Sequence, residues 1–203
     1  MCYILNMEYR AIRGGTAMIH KGTQQIETPN LILRRVSIDD ADAMFRNWAA
    51  DREVTKFLSW PPHESVEKTR MLLDIWSKDY EHENFYQWFI VLKEIGEPIG
   101  NISVVGLEDD IASAEIGYCI GRFWWGRGIV AEALTAVIKY LFDEVGMNRI
   151  CACHDPKNPN SGAVMRKCGM TYEGTLRAAY RNNTGICDKT YYSILYSEWK
   201  ESK

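Results

Sequence analysis

The sequence predicts an α/β (α+β) fold, one mixed and mostly antiparallel sheet of about seven strands flanked by about four helices. Three observations predict it. Strand-favouring runs recur along the chain, and those in its middle are joined by short turns, so that they form an antiparallel meander. Val130, Leu134, Val137 and Leu141 repeat at helical spacing after a glycine-containing turn, which marks one long helix with a buried face. The order then reads strand, two helices, three antiparallel strands, helix, strand, helix, two strands.

The elements follow in chain order. Residues 1–25 show no sustained periodicity and hold the adjacent Gly14 and Gly15, so a loosely ordered arm is expected over 1–27, followed by a single domain over 28–203. Met18 is a second candidate for the biological start. A first strand is expected over 31–36. Ser37 and Asp40 have the spacing of a capping box, so a helix is expected over 38–49 with Ala41, Phe45 and Trp48 on one face. A short helical turn over 51–57 must end before Pro61 and Pro62. Val66, Leu72 or Leu73, and Trp76 indicate another helix over 65–80. Trp60 lies between these helices, either on a movable pocket wall or packed in the core. Runs over 85–93 and 99–107 form a hairpin around Gly96, and 112–120 adds a strand. The long helix stops at Gly146, and 148–153 is the fifth strand. Asn158 and Pro159 read as an N-cap and first helical position of a short helix to about Cys168. Runs over 170–176 and 186–199 complete the sheet.

Composition narrows the function classes. A chain of 203 residues buries a substantial core, and a formal net charge of −3 gives no basic field for nucleic acid. The six cysteines make no C-x-x-C pair and read as small buried hydrophobes, and the four histidines show no zinc spacing, so no metal is expected. No apolar run approaches the ~18 residues of a membrane span, and no secretion signal opens the chain. A cytoplasmic protein with no membrane partner is the expectation.

The most informative stretch runs from Glu115 to Leu134. Gly126 and Gly128 flank Arg127 where a strand-then-turn segment becomes helical. The first turn of a helix has about four backbone N–H groups without intrahelical partners, and the macrodipole adds roughly half a positive charge. Glycines let a ligand approach such a backbone closely, so this turn is a candidate cradle for phosphate or pyrophosphate. It lacks the lysine and hydroxyl of a P-loop. It formally fits the dinucleotide fingerprint, but no carboxylate stands at 146–151 and the preceding strands are antiparallel.

Trp125, Gly126, Arg127, Gly128 and Ile129, continuing to Leu134, resemble the acetyl-coenzyme A pyrophosphate loop of the GNAT superfamily of N-acetyltransferases. The likeness is to the branch that includes ribosomal-protein-alanine N-terminal acetyltransferases, and the element order over 28–198 is that of the GNAT fold. The family often has Gln or Arg where this chain has Phe123. The resemblance implies acetyl-CoA as cosubstrate, held by residues 125–129, by Ile120 through its backbone and by Asn158 and Ser161. It implies acetyl transfer to a primary amine, a protein N-terminus or a small molecule, by direct attack in a ternary complex, in a monomer or homodimer. Glu115, on a strand among apolar neighbours, is the candidate proton acceptor. Ser161 is the candidate proton donor to the thiolate, because the tyrosine many relatives use for it is Met165 here. Trp60, Tyr118 and Tyr180 are assigned to the acceptor pocket. A non-catalytic acyl-CoA sensor on the same fold is the alternative.

Overall fold

The computed structural model describes residues 18–201. Its centre is an eight-stranded sheet in the order β1-β2-β3-β4-β5-β6-β8-β7. Neighbouring strands are antiparallel except β5 and β6. β1 (Ile26–Glu27) and β2 (Leu31–Arg34) lead to a 3-10 turn, Ile38–Asp40, and then α1 (Ala41–Met44), which continues as a π turn over Phe45–Ala49. α2 (Arg52–Thr55) and α3 (Val66–Asp79) precede β3 (Gln87–Leu92), β4 (Glu97–Glu108) and β5 (Ser113–Ile120). Then come α4 (Ile129–Tyr140), β6 (Arg149–His154), α5 (Pro159–Lys167), β7 (Thr171–Asn182), β8 (Gly185–Leu195) and α6 (Tyr196–Glu201).

The sheet is covered on both faces, so β3 is buried along its whole length and shows no polar alternation. Trp88 and Ile90 point to the α4 side, where Val130, Leu134, Val137 and Leu141 fill the larger core. Phe89 points the other way, to Ala41, Met44, Trp48 and Leu73 of α1 and α3. The capping box at Ser37 forms as expected, with Ser37 Oγ accepting from Asp39 N and the Asp40 carboxylate from Ser37 N. The π turn after Met44 rotates Phe45 partly out of the core and brings Met44 in its place.

The structure differs from the expected elements in three places. The expected strand over 186–199 ends at Leu195, and Tyr196–Glu201 is helical. Tyr196 and Trp199, three residues apart, both pack on Phe142, and Glu198 caps the helix start by accepting from Leu195 N at 2.8 Å. β7 runs six residues beyond the expected end at 176, because bulges near Gly174 and before Tyr180 break its alternation. β1 is an additional strand. Of the expected arm, residues 1–17 lie outside the described residues. Residues 18–27 cross the sheet edge: Ile19 N donates to Val145 O at 2.9 Å, and Thr23 Oγ1 donates to Phe85 O at 3.0 Å.

Glu132 of α4 ties the loop between β1 and β2 to the helix. It accepts from Thr28 Oγ1 at 2.6 Å, Asn30 N at 3.0 Å and Asn30 Nδ2 at 3.0 Å. Burial alone would raise its pKa, but these three donors outweigh it and hold the carboxyl below its ordinary value. A carboxylate with a depressed folded pKa contributes stability above the unfolded value, and that contribution is lost as pH falls through the folded one. Glu132→Ala should therefore cost about 1–3 kcal/mol at pH 7. In urea titrations the gap to wild type should shrink steadily below the unperturbed value of 4.5. A gap constant from pH 7 to pH 3.5 would rule the latch out.

Candidate active site

The turn before α4 carries the first part of the site. Gly126 and Gly128 both have left-handed backbones, with φ of 74° and 79°. A Cβ at Gly126 would meet nothing within 4 Å, so the loop is open on the side its glycines face. Gly128 is the N-cap of α4 and has no side chain to cap the first turn. Arg127 is exposed, and Lys167 Nζ reaches to within 3.3 Å of where a Gly128 Cβ would stand. Arg127, Gly128 and Lys167 share a cleft of about 610 Å³ with Thr28, Ala131 and Thr135. Two cations and a polarised helix start thus face one cavity, an arrangement that suits a phosphate-rich ligand. Ile129 turns its side chain into the core, so only its main chain is available to a ligand. Trp125 is 48% exposed and pins the loop by donating its indole N–H to Ile120 O at 2.9 Å. Ile120, expected to offer its backbone to the coenzyme, accepts this bond at its carbonyl.

The second part is a gap between strands. β5 and β6 pair only from Ser113↔Arg149 to Ile116↔Ala152, although β5 continues to Ile120 and β6 to His154. Opposite this point β4 carries a bulge between Val104 and Gly106, which bends the strand pair away from β6. A Cβ on Gly117 would come within 3.0 Å of Val105 at the bulge. The unpaired main chain of β5 therefore borders a cavity of about 640 Å³, whose lining includes Glu115, Tyr118, Asn158, Ser161, Trp60 and Tyr180. Asn158 makes no side-chain bond to its own helix and remains available. Tyr118 Oη lies 3.0 Å from both the carbonyl oxygen and Oγ of Ser161. Burial, outweighing the Ser161 hydrogen bond, pushes the Tyr118 phenol well above its ordinary pKa and keeps it protonated.

Glu115 is where the sequence expectation needs correction. It is not a lone carboxylate among apolar groups. Its Oε1 is 3.1 Å from Lys189 Nζ of β8 and accepts the Cys153 thiol of β6 at 3.1 Å. The Glu115 and Lys189 side chains are 25% and 14% exposed. Burial of Lys189 would lower its pKa, but Tyr191, Cys153 and Glu115 overcome that and hold it above the ordinary lysine value. Burial, reinforced by Glu115, pushes the Cys153 thiol up to about 12, so it stays a hydrogen-bond donor. Lys189 and Cys153 were not read as site residues. A lysine in a strand-like run carries no sign of what stands opposite it until the strands are paired.

Trp60 is half-buried against His63, with ring centroids 5.4 Å apart. The loop that carries it, for which the sequence leaves both a movable wall and a core-packed Trp60 open, is fastened by Asn183 of the β7–β8 turn. Asn183 Nδ2 donates to Thr55 O at 2.8 Å and Trp60 O at 2.7 Å, and Asn183 N donates to Leu58 O at 3.2 Å. Tyr180 faces Trp60's cavity from β7, with Lys189 Nζ 5.4 Å from its ring centroid. No helix of the described residues is long and apolar enough to cross a membrane.

A mixed sheet parted beside a glycine-built helix start defines an acyltransferase-type fold. The acetyltransferase (GNAT) domain model matches residues 30–171. The chain is 30% identical over 176 residues to the uncharacterized N-acetyltransferase p20 of Bacillus licheniformis, covering 87% of this chain and 98% of that protein. Over 59 residues, 29% of this chain and 30% of the other, it is 41% identical to the [ribosomal protein uS5]-alanine N-acetyltransferase of Escherichia coli. Its fold matches the microcin C7 self-immunity acetyltransferase MccE, solved with acetyl-CoA and AMP, at a TM-score of 0.76 and 22% identity, covering 88% of this chain and 98% of that one. The chain belongs to the GNAT acetyltransferase family and is an acetyl-CoA-dependent N-acetyltransferase.

If the open loop is the coenzyme cradle, acetyl-CoA at a hundred times its Kd should raise Tm by about 5–10 °C. Gly126→Val should abolish that rise. Gly96→Val is the control, because Gly96 has a similar φ of 67° with nothing near its Cβ, but lies on the β3–β4 hairpin. It should lower the unliganded Tm and leave the rise intact. A full rise in Gly126→Val would reject the assignment.

Proposed function

We propose that the chain moves the acetyl group of acetyl-CoA to a primary amine, on a protein N-terminus or a small molecule, by direct attack in a ternary complex. One observation carries this reading. The uncapped start of α4 and the unpaired edge of β5 each open into a cavity, and the second is lined by both Glu115 and the Tyr118–Ser161 pair. The main chain of residues 126–129, with Arg127 and Lys167, holds the pyrophosphate and phosphate groups. Pantetheine is peptide-like, so it lies along the free edge of β5 as an added strand, with Asn158 binding one of its amides.

The chemistry then divides among three groups. Glu115 takes the proton from the arriving ammonium, and Lys189 balances the carboxylate charge and fixes its orientation. The freed amine forms the new N–C bond, the tetrahedral intermediate collapses, and the C–S bond breaks. The Ser161 hydroxyl donates to the leaving sulfur, while the Tyr118 phenol, kept protonated by burial, holds Ser161 in place. The second amine proton restores the Ser161 hydroxyl, leaving the amide and free CoA with its thiol. The acceptor occupies the cavity beneath Trp60 and Tyr180. The local likeness to a ribosomal-protein-alanine N-acetyltransferase supports a protein N-terminus, and MccE is a fold relative outside that class.

Glu115→Gln should lower kcat about 10²- to 10⁴-fold while the Kd for acetyl-CoA, measured by calorimetry, stays within about twofold of wild type. Lys189→Met keeps the carboxylate but removes the group that orients it, so kcat should fall while the Kd for acetyl-CoA is unchanged. The reading fails if Glu115→Gln retains full turnover. An unchanged kcat in Lys189→Met would remove Lys189 from the mechanism.

A further inference from the structure

The acceptor cavity has a polar floor under an aromatic roof. Its floor is the α1–α3 face of the sheet, and Gln87, Asn101, Ser103 and Glu115 all line it. Asn101 is engaged, since its Oδ1 accepts the Cys119 thiol at 2.9 Å. Gln87 is not. It is 4% exposed, lines the cavity, and its buried Nε2 has no hydrogen-bond partner among the described residues. A buried amide N–H without a partner is costly and rare, and a bound ligand is one physical explanation for it.

Gln87 is also held rigidly. Its main-chain N–H donates to Thr23 Oγ1 at 2.9 Å, and its carbonyl accepts from Tyr80 Oη at 2.7 Å. Tyr80 Oη in turn accepts from Val36 N at 2.9 Å, so the arm, the end of α3 and the segment after β2 all bear on this one residue. Such preorganisation lowers the ordering cost of binding. The register sets its distance from the chemistry: Gln87 pairs with Ser103, and Ser103 with Gly117. Two strand spacings, about 10 Å, therefore separate Gln87 from the β5 segment that borders the reacting centre.

We propose that Gln87 is a specificity-determining donor in the acceptor subsite, binding an amide carbonyl oxygen that lies about 10 Å from the reacting nitrogen of the substrate. The assignment of this cavity to the acceptor rests on the function proposed above. Two sources present that chemistry: an extended peptide N-terminus, whose third residue lies at this reach, and a small amine with an amide at the end of a comparable chain.

Three probes separate the possibilities: Ala-Phe-Ala amide, N-(6-aminohexyl)acetamide, and octylamine, which has similar length but no carbonyl. The readout is the kcat/KM of each amide probe relative to octylamine, in wild type and in Gln87→Met, with Gln87→Glu as a nearly isosteric second variant should the first fold poorly. Loss of the donor should reduce that ratio about tenfold to a hundredfold through KM, and Gln87→Glu should reduce it at least as much by repelling the oxygen. A reduced ratio for the peptide alone, or the aminohexyl amide alone, identifies the source. Equal losses on all three probes, no loss on any, or a gain in Gln87→Glu overturns the proposal. If no probe is acetylated, calorimetric binding of the same probes to the CoA-saturated protein replaces turnover. There, an amide preference absent from wild type or unchanged in the variants overturns it. Absence of thermal stabilisation by acetyl-CoA would instead strike the proposed function, and an amide preference lost in Gln87→Met would still stand.

Discussion

β5 and β6 share four paired positions and then part, and the working half of this molecule depends on that parting. Parallel strands need a crossover, and here the crossover is α4, whose first turn lies beyond the C-terminal end of β5. The same connection therefore supplies the helix start and leaves one strand edge unpaired next to it. Neither feature would serve alone. A helix N-terminus without a cleft holds an anion on a surface, and a cleft without the helix has nothing to fix a coenzyme lengthwise. The bulge in β4 connects them, because it bends β5 where its partner is lost.

Charge around Glu115 is arranged across three strands. Glu115 is on β5, Cys153 on β6 and Lys189 on β8, and they meet because β8 pairs with the far side of β6. A half-buried carboxylate without a partner would be costly, and the lysine offsets that cost. The arrangement fixes the orientation of the Glu115 carboxylate. Tyr118 and Ser161 form a separate hydrogen-bonded pair across β5 and α5.

The opposite wall of the larger cavity is fixed by side chains far away in sequence. Asn183 fastens the Trp60 loop, and Tyr80, with Thr23, fastens Gln87. These bonds join α3, the β7–β8 turn and the N-terminal crossing strand around one chamber. Its shape is thus set by the sheet beneath it and by loops fastened from far away in sequence.

Much of the fold was legible because it is local physics. The capping box at Ser37, the stop at Gly146, the Asn158–Pro159 helix start and the apolar stripe of α4 depend on residues a few positions apart. The glycine turn at 126–128 was readable for the same reason. What the sequence by itself determined was a set of elements, their order and one glycine-built turn at a helix start, and with the family resemblance these specified an acetyltransferase. Only the tertiary structure decided that Glu115 meets Lys189, that Trp125 takes the Ile120 carbonyl, that Tyr196 begins a helix and that Gln87 has an unpartnered N–H. Those facts depend on strand pairing and packing between residues tens of positions apart, and no local pattern encodes which partner a side chain will find.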